Sequence, residues 1–362
     1  MLVIASIGDG SAQPLYEAEA ELRARAEKDA RGFGGGVYQQ YTLGVGADTA
    51  TRVSNLHADA SYATNESADS ARRLLIATHT AAPIGVFDSG LGGLTVVRAI
   101  QARLPDESIV YLGDTARIPY GTRSAHTVQQ YARACAARLC EHDIKFLVVA
   151  CNTVSAVALD MLRAELALPV LGVITPGARA GAAASGGKRL GVIATAGTVI
   201  SGAYPRAVAE VDPSIAVFTE AAPLLVPLVE EGWLDGEVPA LVVRKYLAPL
   251  VAQNIDALVL GCTHYPLLEQ VIARELAAQS GKVLPVVDSA HATAEQLAEL
   301  LAQHGLLRAR SGSGHALGTL QMLVTDMPRG FSEKASRFLG RELSGLDVSA
   351  IDLQTPSVAD AR

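Results

Sequence analysis

The chain is poor in cysteine, has no long apolar run and carries no excess of basic residues. Only four cysteines, at positions 135, 140, 151 and 262, occur in 362 residues. That is too few for the disulfide framework of a secreted scaffold, so each thiol is read singly and a reducing cytoplasm is the expected compartment. No apolar stretch reaches the roughly 18 residues that a spanning helix needs, which argues against membrane insertion. The apolar start, Met1 to Ile7, lacks a basic leader and breaks at Gly8-Asp9-Gly10, unlike an export signal. A formal net charge of −7 at pH 7 removes the electrostatic basis for nucleic acid as a main partner.

Several chemical signatures are missing as well. No G-x-x-x-x-G-K-[ST] loop occurs, and the glycine-rich turn after Asp88 fails the dinucleotide pattern because Thr95 stands where the third glycine would be. No C-x-x-C or H-x-x-x-H spacing accompanies the cysteines and histidines, so no metal is expected, although Cys151, Cys262 and His264 are three groups zinc would accept. No lysine stands at a strand end where a pyridoxal phosphate Schiff base would form. The expectation is a chain that works without a cofactor.

What is present is 49% apolar and 19% charged residues, a balance that fits a folded globular protein with sizeable cores. Residues 1–83 read differently from the rest, with Gly34-Gly35-Gly36 and little apolar period. We take them as an N-terminal extension, disordered or loosely docked, with one helix expected at residues 15–31. From Ile84 onward, short apolar runs end in polar or glycine-rich turns and lead into helical stretches: IGVF at Ile84, IVYL at Ile109, FLVVA at Phe146, VLGV at Val170, LGVIA at Leu190, ALVL at Ala257 and VLPVV at Val283. Near-continuous apolar strands alternating with helices imply α/β domains in which parallel sheets carry helices on both faces.

Ligands of such sheets sit beyond the carboxyl ends of the strands. The residues found there repeat: Asp88-Ser89-Gly90 and then Cys151-Asn152-Thr153 in one half, Thr195-Ala196-Gly197-Thr198 and then Cys262-Thr263-His264 in the other. The separations, 63 residues from Asp88 to Cys151 and 67 from Thr195 to Cys262, suggest two homologous α/β domains. The boundary is expected near residues 175–188, where Pro176, Gly177, Gly181 and Gly186-Gly187 interrupt the pattern. Setting residues 1–83 aside leaves 279 residues, about 140 per half, an ordinary domain size.

A cysteine at a strand end, just before a helix N-terminus, lies in the setting that lowers a thiol pKa. Two of them facing each other across an interdomain cleft suit inversion at a stereocentre, one thiolate taking a proton while the opposite thiol delivers one. Asp88 and His264 are titratable neighbours of the two thiols, and Asp114 is a second strand-end carboxylate. Each carboxylate also fits a plain capping role. Ser89, Asn152, Thr153, Thr195, Thr198 and Thr263 would give the cleft neutral hydrogen-bonding groups suited to a small zwitterion. Cys135 and Cys140, within the expected helix from His126 to His142, read as small buried hydrophobes.

Four motifs, IGVFDSGLGGL from Ile84, GDTARIPYG from Gly113, VACNTVSA from Val149 and LGCTHYP from Leu260, resemble those of the glutamate racemases in the aspartate/glutamate racemase superfamily. The resemblance runs from Ile84 to at least Gly340, and residues 1–83 share none of it. It implies cofactor-independent interconversion of L- and D-glutamate, with Cys151 and Cys262 as proton acceptor and donor, Asp88 assisting the first and His264 the second. It places substrate contacts on Asp88, Ser89, Tyr120, Gly121, Asn152, Thr153, Thr263 and His264, and supporting polar positions at Asp114 and Glu230. The family usually carries Cys-Pro-Leu where Ala222 precedes Pro223 here, a departure that leaves the proposed relay untouched. The implied division is a first domain of residues 84–180 completed by about 290–345, a second of 181–289, and a tail of 346–362. The implied setting is a bacterial cytoplasm, supplying peptidoglycan assembly, with a homodimer as one assembly. Within the superfamily the alternatives are aspartate racemase, hydantoin racemase and a decarboxylase relative that keeps one cysteine. Outside it, the alternative is a catalytically silent regulatory binding protein, against which Asp88, Cys151, Cys262 and His264 all stand.

Overall fold

A computed structural model of the chain describes residues 79–308 and 317–353. The extension before residue 79, with its expected helix at 15–31, lies outside the described residues. The first part of the fold runs β1 (Ile84–Asp88), α1 (Leu94–Arg103), β2 (Ile109–Gly113), α2 (Ala125–Cys140), β3 (Phe146–Val149), α3 (Asn152–Val157), α4 (Leu159–Glu165), β4 (Val170–Gly172) and α5 (Ile174–Ala184). There follow β5 (Arg189–Ala194), α6 (Ala196–Ser201), α7 (Ala203–Val211), β6 (Ala216–Ala221), α8 (Leu225–Glu230), α9 (Glu237–Ala252), β7 (Ala257–Gly261), α10 (Glu269–Ser280), β8 (Val286–Asp288) and α11 (Ser289–Gln303). The chain then returns as β9 (Leu320–Val324), α12 (Phe331–Leu339) and β10 (Asp347–Ala350).

Among the described residues the strands form two wholly parallel sheets, ordered β10-β9-β2-β1-β3-β4 and β6-β5-β7-β8. The order 2-1-3-4 of the first sheet recurs as 6-5-7-8 in the second, so the duplication read from strand-end residues is also one of topology. Both faces of each sheet are covered, because successive strand residues point to opposite sides. Val86 packs with Val96, Val97 and Ile100 of α1, while Phe87 packs with Val128 and Ala132 of α2. In the second sheet Val192 meets Ala178 of α5 and Val208 of α7, and Ile193 joins the cluster containing Val243 and Leu247 of α9.

Three strands go beyond the seven apolar runs. β6 and β10 are sheet edges, half exposed and mixed in composition, so neither reads as a buried run. β10 pairs with β9, so part of the expected tail is the sixth strand of the first sheet. Its neighbour β9 is apolar and buried between β2 and β10. The run at Val283 begins as strand only at Val286: Pro285 has no N–H to give, although its carbonyl accepts from Leu258 N at 2.9 Å.

The expected break at 175–188 is helical over most of its length. Pro176, Gly177 and Gly181 all lie within α5. Gly181 permits a close approach here, since a Cβ on it would come within 2.6 Å of Val259 Cγ2. A glycine at a helix–sheet contact and one in a linker look alike in a sequence, and α5 packs on the second sheet.

Residues 79–83, counted above with the extension, are fastened to the first sheet. Lys145 Nζ donates to Thr80 O at 2.7 Å, and Lys145 N donates to Pro83 O at 3.0 Å. The same ammonium pairs with Glu107 Oε2 at 2.5 Å, with side-chain exposures of 0% and 2%. Glu107 Oε1 in turn accepts from Arg308 N at 2.8 Å. Removing one member of a buried pair strands the other charge, which costs about 3–5 kcal/mol. Lys145→Met should therefore lower unfolding stability by about that amount in urea titrations, and Lys145→Met combined with Glu107→Leu should be less destabilised than the single variant. A double variant as unstable as the sum of the singles would show that the pair is not coupled.

Candidate active site

Each sheet changes winding direction between two adjacent strands, β1 and β3 in one and β5 and β7 in the other, and loops leaving there open a crevice. Between the two sheets lies a cavity of about 320 Å³, to which both halves contribute. Ser89, Tyr120, Gly121, Cys151, Asn152 and Thr153 reach it from the first half, and Thr195, Glu230, Cys262, Thr263 and His264 from the second. Three expected residues, Asp88, Asp114 and Thr198, are buried but do not line it. The rest of the wall, none of it given a site role by the sequence, is Gly90, Ile118, Pro119, Thr122, Ala196, Pro223, Val226 and Pro227. Most of these are apolar or small and carry no chemical signature.

On the first side, Cys151 is the N-cap of α3, and its Sγ lies 3.4 Å from Ser89 Oγ. Burial pushes the thiol up to about 12, the Asp88 charge adds to that shift, and bonds from Ser89 and the Val154 N–H oppose it. The strand-end, pre-helix setting therefore does not lower this thiol, because Cys151 is nearly sealed from water and lies near the Asp88 charge. Asp88 is wholly buried, and burial raises its carboxyl against the His264 charge and backbone N–H bonds. Its Oδ2 accepts from Gly90 N at 2.9 Å.

On the second side, His264 Nδ1 lies 4.0 Å from Cys262 Sγ, and Nε2 lies 3.2 Å from Glu230 Oε1. Burial alone would lower this imidazole. Its bonds to Cys262 and Glu230 outweigh that penalty and hold it at about 10, so it is an imidazolium at neutral pH. The His264 bond in turn holds the Glu230 carboxyl below its ordinary value. The Phe338 ring of α12 meets the His264 ring edge-on at 4.9 Å between centroids.

Hydrogen bonds cross between the halves. Thr153 Oγ1 and Thr195 Oγ1 are 3.0 Å apart, and Thr95 Oγ1 donates to Thr263 O at 3.1 Å. Thr195 also caps α6, accepting from Thr198 N. Asp114 holds one wall from behind: it accepts from the Tyr120 hydroxyl, from Arg117 Nε at 3.0 Å and from Thr325 Oγ1 at 2.9 Å. All four cysteines are free thiols. Among the described residues no group of three or more His, Cys, Asp and Glu side chains is placed to hold a metal ion, and no helix is long and apolar enough to cross a membrane.

Two parallel α/β halves, each presenting a strand-end thiol to one cavity, define a class. The chain belongs to the Asp/Glu/Hydantoin racemase family, whose model matches residues 94–297, and it is accordingly an isomerase of the racemase type. Within that family its similarity is to the glutamate racemases. It is 49% identical over 271 residues to the glutamate racemase of Geobacter metallireducens, covering 75% of this chain and 97% of the relative. The identity to that of Neisseria meningitidis is 49% over 270 residues, 74% of this chain and 97% of the relative. Among solved structures, the glutamate racemase of Francisella tularensis in complex with D-glutamate superposes with a TM-score of 0.69 at 36% identity, covering 76% of this chain and 99% of that one.

The charge on His264 makes a test of the electrostatics. Because its pKa is raised from 6.5 to about 10 on folding, protonation favours the folded state. That contribution is complete below pH 6.5 and is lost as pH rises toward 10. The stability gap between wild type and His264→Asn in urea titrations should be largest at pH 6 and shrink steadily at pH 8 and 10. A gap that stays flat or widens with pH would rule out the imidazolium.

Proposed function

We propose that this chain interconverts L- and D-glutamate by proton transfer at the alpha carbon, with Cys151 and Cys262 as the two proton carriers. One observation carries this reading: both thiols line one cavity, each supplied by a different half of a duplicated fold. The similarity to a glutamate racemase crystallised with D-glutamate supports the choice of substrate.

The thiols differ in a way that suits the reaction. Cys151, pushed up to about 12, holds its proton and is ready to deliver it. Cys262, whose Sγ lies 4.0 Å from His264 Nδ1, is the acceptor in this scheme. Cys262 takes the alpha proton from one face, leaving a carbanion, and Cys151 protonates the other face. The enzyme is left with a Cys151 thiolate and a Cys262 thiol, the charge distribution needed for the reverse direction. Asp88 lies beside the first carrier and His264, steadied by Glu230, beside the second. Ser89, Asn152, Thr153 and Thr263 supply neutral donors for the substrate carboxylates, Tyr120 and Gly121 line the cavity with Gly121 packed against Thr195, and donors of this kind stabilise the developing negative charge. No step calls for a cofactor. D-glutamate made in this way would serve peptidoglycan assembly in a bacterial cytoplasm, with a homodimer as the assembly to test by light scattering.

Cys151→Ser and Cys262→Ser should each reduce racemisation of glutamate by at least about a thousandfold, followed by circular dichroism, because a serine hydroxyl is a far weaker acid than a thiol. Near wild-type turnover by either variant would refute the two-thiol scheme. In D2O, product should carry deuterium at the alpha carbon, whereas product formed without isotope would point away from proton transfer through thiols that exchange with solvent.

A further inference from the structure

Tyr204 touches both thiol-bearing strand ends. It belongs to α7 of the second half and is 1% exposed. Its ring packs against Gly261, the residue before Cys262, so closely that a Cβ there would lie 2.9 Å from Tyr204 Cε2. Its hydroxyl crosses to the first half and donates to Asn152 Oδ1 at 2.9 Å, next to Cys151. Asn152 is 3% exposed and lines the cavity, and its Nδ2 has no hydrogen-bond partner among the described residues. A buried amide nitrogen left unsatisfied is costly unless a ligand completes it. An amide rotated by half a turn would bring that nitrogen to the phenol and turn the carbonyl oxygen the other way. In the orientation observed, with the hydroxyl donating to Oδ1, Nδ2 is the end of Asn152 left for a ligand.

We propose that Tyr204 is a positioning residue for substrate binding, fixing the Asn152 amide from across the interdomain divide so that Nδ2 is presented to a substrate carboxylate. This rests on the glutamate racemase reading above, in which Asn152 is a substrate donor. The tyrosine itself touches no substrate. Its hydroxyl acts only through Asn152, and it ties the aim of that donor to the relative placement of the two halves. Neither the strand-end pattern nor the motifs mark it, because its partner lies 52 residues away in sequence.

The test is Tyr204→Phe in the full chain, which keeps the ring against Gly261 and removes only the hydroxyl. Loss of one well-placed hydrogen bond to the substrate should raise KM for glutamate about tenfold, with kcat within about threefold of wild type. In an Asn152→Ala background the same change should have no further effect, since the group it orients is gone. Where Asn152→Ala turns over too slowly, the rise in Tm with added D-glutamate reads substrate binding instead. An unchanged KM in Tyr204→Phe, a fall in kcat alone, or an equal penalty in the Asn152→Ala background would overturn the proposal. If the wild-type chain fails to racemise glutamate, the reading beneath it falls and the inference with it. If wild type racemises and Tyr204→Phe matches it, only the role of Tyr204 is lost.

Discussion

The two halves of this molecule meet at Gly92 with no room for a side chain. A Cβ at that position would lie 2.3 Å from Thr263 Oγ1 and 2.5 Å from His264 Nδ1. This contact sets how closely the turn after β1 approaches the loop after β7, and the cavity between them depends on it. Around it run the bonds that keep the halves in register, Thr95 to Thr263, Thr153 to Thr195 and Tyr204 to Asn152. Each joins a residue of one half to a residue of the other. The cavity is therefore defined by short polar contacts between loops, while the apolar clusters carry the strands that hold those loops.

The topology is duplicated and the electrostatics are not. Asp88 ends β1 where Ala194 ends β5, so only the first half buries a carboxylate behind its thiol. The second half answers with an imidazolium held by Glu230. A reaction that removes a proton from one face and returns one to the other needs its two carriers in opposite protonation states at every turnover. Two identical environments would give both thiols the same state. In the proposed two-thiol scheme each half supplies one carrier, and the strand-end neighbours of the two differ, Asp88 beside Cys151 and His264 beside Cys262.

How much of this was legible in the sequence follows from where each signal resides. The central strands are continuous apolar runs and showed themselves, as did the chemistry at their carboxyl ends. The edge strands β6 and β10 did not, because half their residues face outward and their composition resembles a loop. Gly177 and Gly181 read as a boundary, yet they are contact points within a helix, a distinction only the packed partner reveals. The Cys151 thiol is shifted the opposite way to what its strand-end setting suggests, because burial, which no local pattern reports, prevails. Asp114 is legible as a strand-end carboxylate, but its third partner, Thr325, lies 211 residues away in the chain.

The segment that returns from the second sheet to the first shows why distance along the chain misleads here. Residues 317–353 add β9 and β10 to the first sheet, and no expected site residue lies among them. Yet α12, between those strands, reaches over to the second half. Arg337 donates to the carbonyls of Val229 and Glu230 at 3.1 and 3.0 Å, and Phe338 lies against the His264 ring. Gly232, at φ +78°, passes so near that a Cβ would come within 2.7 Å of Arg337 Nη2. A helix anchored to the first sheet thus braces the end of α8 and the imidazolium of the second. Movement of one half against the other would alter the Glu230–His264 contact through α12 as well as the contacts across the cleft, so domain placement and the charge beside Cys262 are mechanically one variable.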